Sequence, residues 1–233
     1  MRDARTNPCP KDNVASGIRY ACGMASPSRT ERLAAARLYL VLTRALCRKP
    51  WADVVSAAVR GGVAMVQVRE KDMADGALLA HVLEVRRVVE GTGVLVVVND
   101  RPDLAVLADA DGAHVGQDDA DPSEARRLLG DARILGVSTH DAAQRRRAVR
   151  SAADHCGFGP VFDTATKGLS GIGLRDWADE DGFPTFAIGG IGPGNVAPLA
   201  ACGVRRIAVS SALCAAEDPE AVARTLLERL RAP

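Results

Sequence analysis

The stretch "VLVVVNDRPDLAVLADADGAHVGQDD", residues 94–119, decides the fold. An apolar run ends on Asn99-Asp100. A short helical stretch follows, and a second run, "GAHVGQ", leads into Asp118-Asp119. Runs that are apolar on consecutive positions are buried on both faces, as in a parallel sheet covered by helices. Two of them joined by one short helix form a strand–helix repeat, and both stop on carboxylates.

The same unit recurs along the chain. The runs are "LYLVLT" (38–43), "AMVQVRE" (64–70), "VLVVVND" (94–100), "GAHVGQ" (112–117), "ILGVST" (134–139), "HCGFGPVF" (155–162), "TFAIGG" (185–190) and "RIAVSS" (206–211). They start roughly 20 to 30 residues apart, the length of one strand–helix unit. Eight in alternation predict a closed (β/α)8, or TIM, barrel in the α/β class, occupying residues 38–233. An open doubly wound sheet calls for a G-x-G-x-x-G after its first strand, and "LYLVLTRALCRKP" has no such glycines. Between the runs, Pro50 opens one helix, Asp75 is placed to cap another, and Asp218-Pro219 starts the last. Pro198 inside "GPGNVAPLAACG" makes that helix short or kinked. Residues 1–37 are polar, rich in Pro, Ser and Arg, and without period, so they read as a disordered N-terminal extension.

Composition narrows the function. Thirty basic against twenty-nine acidic residues leave a net charge of +1, which gives no footprint for nucleic acid or an anionic membrane. No apolar run has the roughly 18 residues of a membrane span. Six scattered cysteines without C-x-x-C spacing point to reduced thiols in a cytoplasmic protein, not to zinc. The expected partners are therefore small molecules.

In such a barrel the C-terminal strand ends share one mouth. Those ends carry Gln67, Arg69, Glu70 and Lys71; Asn99 and Asp100; Asp119; Ser138, Thr139 and His140; Thr164, Thr166 and Lys167; Gly190; Ser210 and Ser211. Asp100 and Asp119 can share one hard cation, and two carboxylates leave room for waters and phosphate oxygens, which suits Mg²⁺. Arg69, Lys71 and Lys167 supply positive charge for a polyphosphate. "AIGGIGPGN" and "VSSAL" are tight turns after strands seven and eight, where backbone N–H groups hold a phosphate in this fold. One mouth with places for two anionic groups points to the joining of two phosphorylated molecules with loss of pyrophosphate. His140 reads as a loop histidine beside phosphate, His114 as a packed or hydrogen-bonded strand residue, and the run Gln144-Arg145-Arg146-Arg147 with Arg150 as a solvated helix face.

"VQVREKD", "VNDRPDLAVLADADGAHVGQDD", "LGVSTH", "GFGPVFDTATK", "FAIGGIGPGNV" and "VSSAL" together, in this order, resemble the thiamine-phosphate synthase (thiamine-phosphate pyrophosphorylase) family from about residue 38 to 230. The resemblance implies that hydroxymethylpyrimidine diphosphate and a thiazole phosphate combine, with Mg²⁺, to give thiamine phosphate and pyrophosphate. It implies that Gln67, Val68, Arg69, Glu70, Lys71, Asn99, Ser138 and Lys167 contact the pyrimidine diphosphate. Of these, Arg69, Lys71, Ser138 and Lys167 would act in catalysis. Thr164, Ala165, Thr166, Gly190, Ser210 and Ser211 would hold the thiazole phosphate, and Asp100 and Asp119 the metal. A homo-oligomer is also in keeping with the family. The chain departs from the family pattern in a shorter loop after Lys167, in Asp163 where proline is common, and in "ADHCGFG", which brings His155 into strand six. A thiazole tautomerase, which needs no diphosphate clamp, and a non-catalytic thiamine-phosphate binding module are the alternatives.

Overall fold

The computed structural model describes residues 27–163, 171–173, 177 and 182–231. Its first element is a helix, α1 (Arg29–Ala35), inside the stretch expected to be disordered. Ser28 and Glu31 form a reciprocal capping box, and the S-x-x-E in "SRTE" is the local signal for it. Leu33 of this helix is 2% exposed and packs beneath the barrel interior. Arg29 and Arg32 both pair with Asp111, at 2.9 and 2.8 Å. Folded structure thus begins before residue 38, and residues 1–26 lie outside the described residues.

The barrel follows. Its strands are β1 (Leu38–Leu42), β2 (Met65–Val68), β3 (Leu95–Asn99), β4 (Gly112–Val115), β5 (Ile134–Thr139), β6 (His155–Phe158), β7 (Thr185–Ile188) and β8 (Ile207–Val209). All neighbouring pairs are parallel, and β8 closes on β1. The helices between and after them are α2 (Trp51–Arg60), α3 (Asp75–Val88), α4 (Pro102–Leu107), α5 (Pro122–Leu129), α6 (Ala142–Val149), α7 (Val196–Ala201), α8 (Ser211–Cys214) and α9 (Pro219–Arg231). Ala74, not Asp75, is the N-cap of α3; the Asp75 carboxylate is drawn to the Arg101 guanidinium instead. Pro198 sits in a helix of only six residues, as expected.

The period of two along each strand sorts the side chains into two cores. Tyr39, Val41, Met65, Leu95, Val97 and Phe186 fill the barrel interior, above Leu33. Leu38, Leu40, Leu42, Val66, Val68 and Val96 point outward and pack under the helices. Both sets are buried, which is why the runs read as continuously apolar. Burying each such side chain contributes about 1.5–3 kcal/mol. The same parity decides which residues at the upper strand ends face the mouth.

Candidate active site

The mouth holds a cleft of about 980 Å³, counting its open entrance. Gln67, Arg69, Asn99 and Ser138 line one side, and Gly190, Ser210 and Ser211 the other. Its floor is the upper layer of the barrel interior, where Tyr39, His114 and Phe186 stand. The pattern is that of parity: Gln67 and Arg69 follow Met65 on the inward face, and Asn99 follows Val97. The register sets Val41, Gln67 and Val97 side by side across β1, β2 and β3.

Gln67 is 4% exposed, and its amide donates to the Tyr39 hydroxyl at 2.7 Å. That bond fixes the amide and leaves its carbonyl oxygen as an acceptor. Burial pushes the Tyr39 hydroxyl above its ordinary pKa, so it stays protonated. Tyr39 was not among the expected site residues. Its signal was parity, two positions before Val41 on the inward face.

Asp100 follows β3 with a φ of +60°, an uncommon backbone for a residue with a side chain. Its N–H donates to the His114 carbonyl at 2.7 Å, which anchors the turn. Asp119 is held by the Gly116 N–H at 2.7 Å. The two carboxylates meet, and Asp100 is pushed up to about 6, first by burial and then by Asp119 beside it. Lys71 Nζ lies 4.0 Å from Asp100 Oδ2. The structure therefore joins Asp100, Asp119 and Lys71 at the rim just beyond Asn99. Among the described residues no third His, Cys, Asp or Glu joins the pair. Two close carboxylates with few other protein donors fit a hard divalent ion that keeps waters or phosphate oxygens, and such an ion would relieve their repulsion.

Two expected contacts are placed elsewhere by the same parity. Val68 points outward and is 1% exposed in the helix-facing core, so only its backbone is available to a ligand. The Glu70 carboxylate also turns outward, accepts from the Arg44 N–H at 2.6 Å and lies 3.8 Å from His81 Nε2 of α3. It braces the turn after β1, and burial raises its pKa.

On β5 the Ser138 hydroxyl lies 3.0 Å from His114 Nε2. His114 is thus hydrogen-bonded in its strand, as expected, but it also belongs to the cleft floor. His140 Nδ1 is 2.5 Å from the Gly159 carbonyl, so in the neutral ring this nitrogen carries the proton and anchors the loop. Gly190 has φ +64°, and a Cβ there would lie 2.5 Å from the Asp163 carbonyl oxygen. Any side chain at this turn would meet the adjoining loop. The Ser210 hydroxyl is buried without an oxygen or nitrogen partner among the described residues, and the weak Cys214 thiol is beside it. Thr164, Ala165, Thr166 and Lys167, and residues 168–170 of the shortened loop after them, lie outside the described residues.

Fold and site define a (β/α)8-barrel enzyme with a carboxylate pair on one rim and a glycine- and serine-lined wall opposite. The chain belongs to the family described as thiamine monophosphate synthase, whose model matches residues 38–213. It is 43% identical over 198 residues to the thiamine-phosphate synthase of Chloroflexus aurantiacus, covering 82% of this chain and 90% of that one. It is 43% identical over 203 residues to the thiamine-phosphate synthase of Gloeobacter violaceus, covering 85% of this chain and 59% of that longer protein. Among solved structures, thiamine phosphate pyrophosphorylase from Pyrococcus furiosus superposes with a TM-score of 0.76 at 30% identity, covering 85% of this chain and 96% of that one. Phosphoribosyl anthranilate isomerase from Thermotoga maritima, at 15% identity and a TM-score of 0.59, shares the fold alone. Among the described residues no helix is long and apolar enough to cross a membrane.

Proposed function

We propose that this chain is a thiamine-phosphate synthase, a transferase joining hydroxymethylpyrimidine diphosphate to a thiazole phosphate with release of pyrophosphate. The observation that carries this reading is the meeting of Asp100 and Asp119 at one rim of the cleft, with Lys71 beside them. A tautomerase acting on a thiazole phosphate alone has no use for that pair.

The reaction breaks the C–O bond between the pyrimidine methylene and the diphosphate. The bonding electrons leave with pyrophosphate, and the thiazole nitrogen then donates its lone pair to the methylene carbon to form the C–N bond. Negative charge builds on the leaving group as the bond breaks. Arg69, Lys71 and Lys167 stabilise that charge more in the transition state than in the bound substrate. A Mg²⁺ held by Asp100 and Asp119 would neutralise part of the diphosphate charge when bound. Gln67 presents its fixed carbonyl oxygen to the pyrimidine, Asn99 adds a further amide, and Ser138 donates a hydroxyl proton. Gly190, Ser210 and Ser211, with Thr164 to Thr166, hold the thiazole phosphate so that its nitrogen is already beside the reacting carbon. No protein nucleophile is required.

The test is pyrophosphate release from the purified protein. Release that needs both substrates, forms thiamine phosphate and stops with EDTA is the expected result. No release from folded protein with both substrates and Mg²⁺ present would refute the assignment.

A further inference from the structure

Lys71 meets the carboxylate pair from an exposed loop. Its Nζ lies 4.0 Å from Asp100 Oδ2, yet its side chain is 59% exposed. Packing therefore does little to fix it, and the loop that carries it, residues 69–74 between β2 and α3, has to. At the near end of this loop the Arg69 N–H donates to the Leu42 carbonyl at 2.9 Å, and the Thr43 hydroxyl donates to the Arg69 carbonyl at 3.0 Å. Met73 packs against the helix-facing core. The far end runs into Asp75, the first residue of α3.

Arg101 takes hold of that far end. Its backbone follows directly on Asp100, in the turn that Asp100 makes at positive φ. Its guanidinium is held by Asp103, with Nε 2.9 Å from Oδ1 and Nη2 2.6 Å from Oδ2. The same fork reaches across to α3 and pairs with both Asp75 carboxylate oxygens, Nη1 with Oδ1 and Nη2 with Oδ2, the latter at 3.1 Å. The Arg101 and Asp75 side chains are 33% and 67% exposed, and an ion pair that open to solvent contributes little to stability. It does fix geometry, because a guanidinium gripping two carboxylates has few orientations left. The residue next to Asp100 thereby holds one end of the loop that carries Lys71.

We propose that Arg101 is a positioning residue for the diphosphate, keeping Lys71 beside Asp100 through its grip on Asp75. Lys71 and an ion held by Asp100 and Asp119 have to meet the same diphosphate, and they come from loops after different strands. The Asp75–Arg101–Asp103 bridge ties those loops to one another. Losing the bridge frees the end of the Lys71 loop nearest α3, and the ammonium then spends less time where the diphosphate needs it. This inference rests on the reading of Asp100, Asp119 and Lys71 as the diphosphate site.

The experiment is calorimetric titration of the full chain with magnesium pyrophosphate, which probes the diphosphate site without the chemistry. Asp75→Asn is the deciding variant. By charge alone, removing an acid near an anion site tightens anion binding. By the bridge, it frees the loop and weakens binding. The expected result is a loss of about tenfold, as when an orienting partner is removed, with the circular dichroism spectrum retained. Arg101→Lys keeps the charge but not the fork, and should weaken binding nearly as much. In a Lys71→Met background, itself weaker, Asp75→Asn should cause no further loss, because the bridge acts through Lys71. Equal or tighter binding by Asp75→Asn would overturn the proposal. So would full binding by Arg101→Lys, or a further tenfold loss in the Lys71→Met background. A folded wild-type protein that binds no magnesium pyrophosphate would overturn the diphosphate site itself, and the proposal with it; the wild-type titration keeps the two failures apart.

Discussion

Gly136→Ala is the smallest change that tests the packing under the cleft. The new methyl carbon would lie 2.3 Å from His114 Nδ1, 2.4 Å from His155 Nε2 and 2.5 Å from His155 Cε1. Carbon needs roughly 3.5 Å to such atoms, so each ring has to retreat by about 1 Å. His155 cannot retreat freely, because Tyr39 and Phe186 behind it are 2% and 0% exposed. His114 can move only by loosening its 3.0 Å bond to Ser138. Overpacking of this kind costs about 1–3 kcal/mol, and the weakened hydrogen bond adds about 0.5–1.5 kcal/mol. The reduced freedom of the unfolded chain returns about 0.4–1 kcal/mol. Taken at their midpoints these sum to a net loss of about 2 kcal/mol, which for a chain of this length lowers the melting temperature by roughly 4–8 °C. Thermal and urea unfolding followed by circular dichroism measure it. In the double variant Gly136→Ala, His155→Ala, the methyl occupies vacated space, so the two losses should fall short of their sum by about 1 kcal/mol or more. A Gly136→Ala protein within about 0.5 kcal/mol of wild type would refute the packing described here.

The carboxylate pair has its own pH signature. Burial and Asp119 raise the Asp100 carboxyl from 3.8 to about 6, so in metal-free protein its stabilising contribution, at most about 3 kcal/mol, is complete below about pH 4 and lost as pH rises through 6. Melting temperatures in EDTA should fall across that window, Asp119→Asn should flatten the fall, and Mg²⁺ should raise the melting temperature at pH 8; a flat metal-free profile would count against the pair. Asp100→Ala should cut pyrophosphate release by about a hundredfold or more with the circular dichroism spectrum retained, and a folded variant at wild-type rate would remove Asp100 from the site. Leu33→Ala should cost about 2–4 kcal/mol in urea unfolding, because α1 packs this side chain beneath the barrel interior; an unchanged midpoint would show that α1 contributes nothing to the fold.

Much of this protein is written locally. Each apolar run, such as "VLVVVND", carries its own evidence of burial on both faces, and each ends on the polar residues that the barrel gathers at one mouth. The placement of Asp100, Asp119, Asn99 and Ser138 at or just beyond strand ends was legible for that reason. The capping box at Ser28 and Glu31 was equally local, but the polar composition around it hid it. Parity was legible too, and it separates Gln67 and Arg69, which face the cleft, from Val68 and Glu70, which face the helices.

What the tertiary structure alone decided depends on neighbours far apart in the chain. Whether two aspartates 19 positions apart meet is set by the β3–β4 pairing and by the turn that Asp100 takes at positive φ. Gly136 means nothing by itself; beside His114 and His155 it is the space into which two imidazoles point. Hydrophobic periodicity is a property of one segment and can be read from it. Register and the filling of a shared interior are properties of several segments at once, and they exist only when the barrel closes.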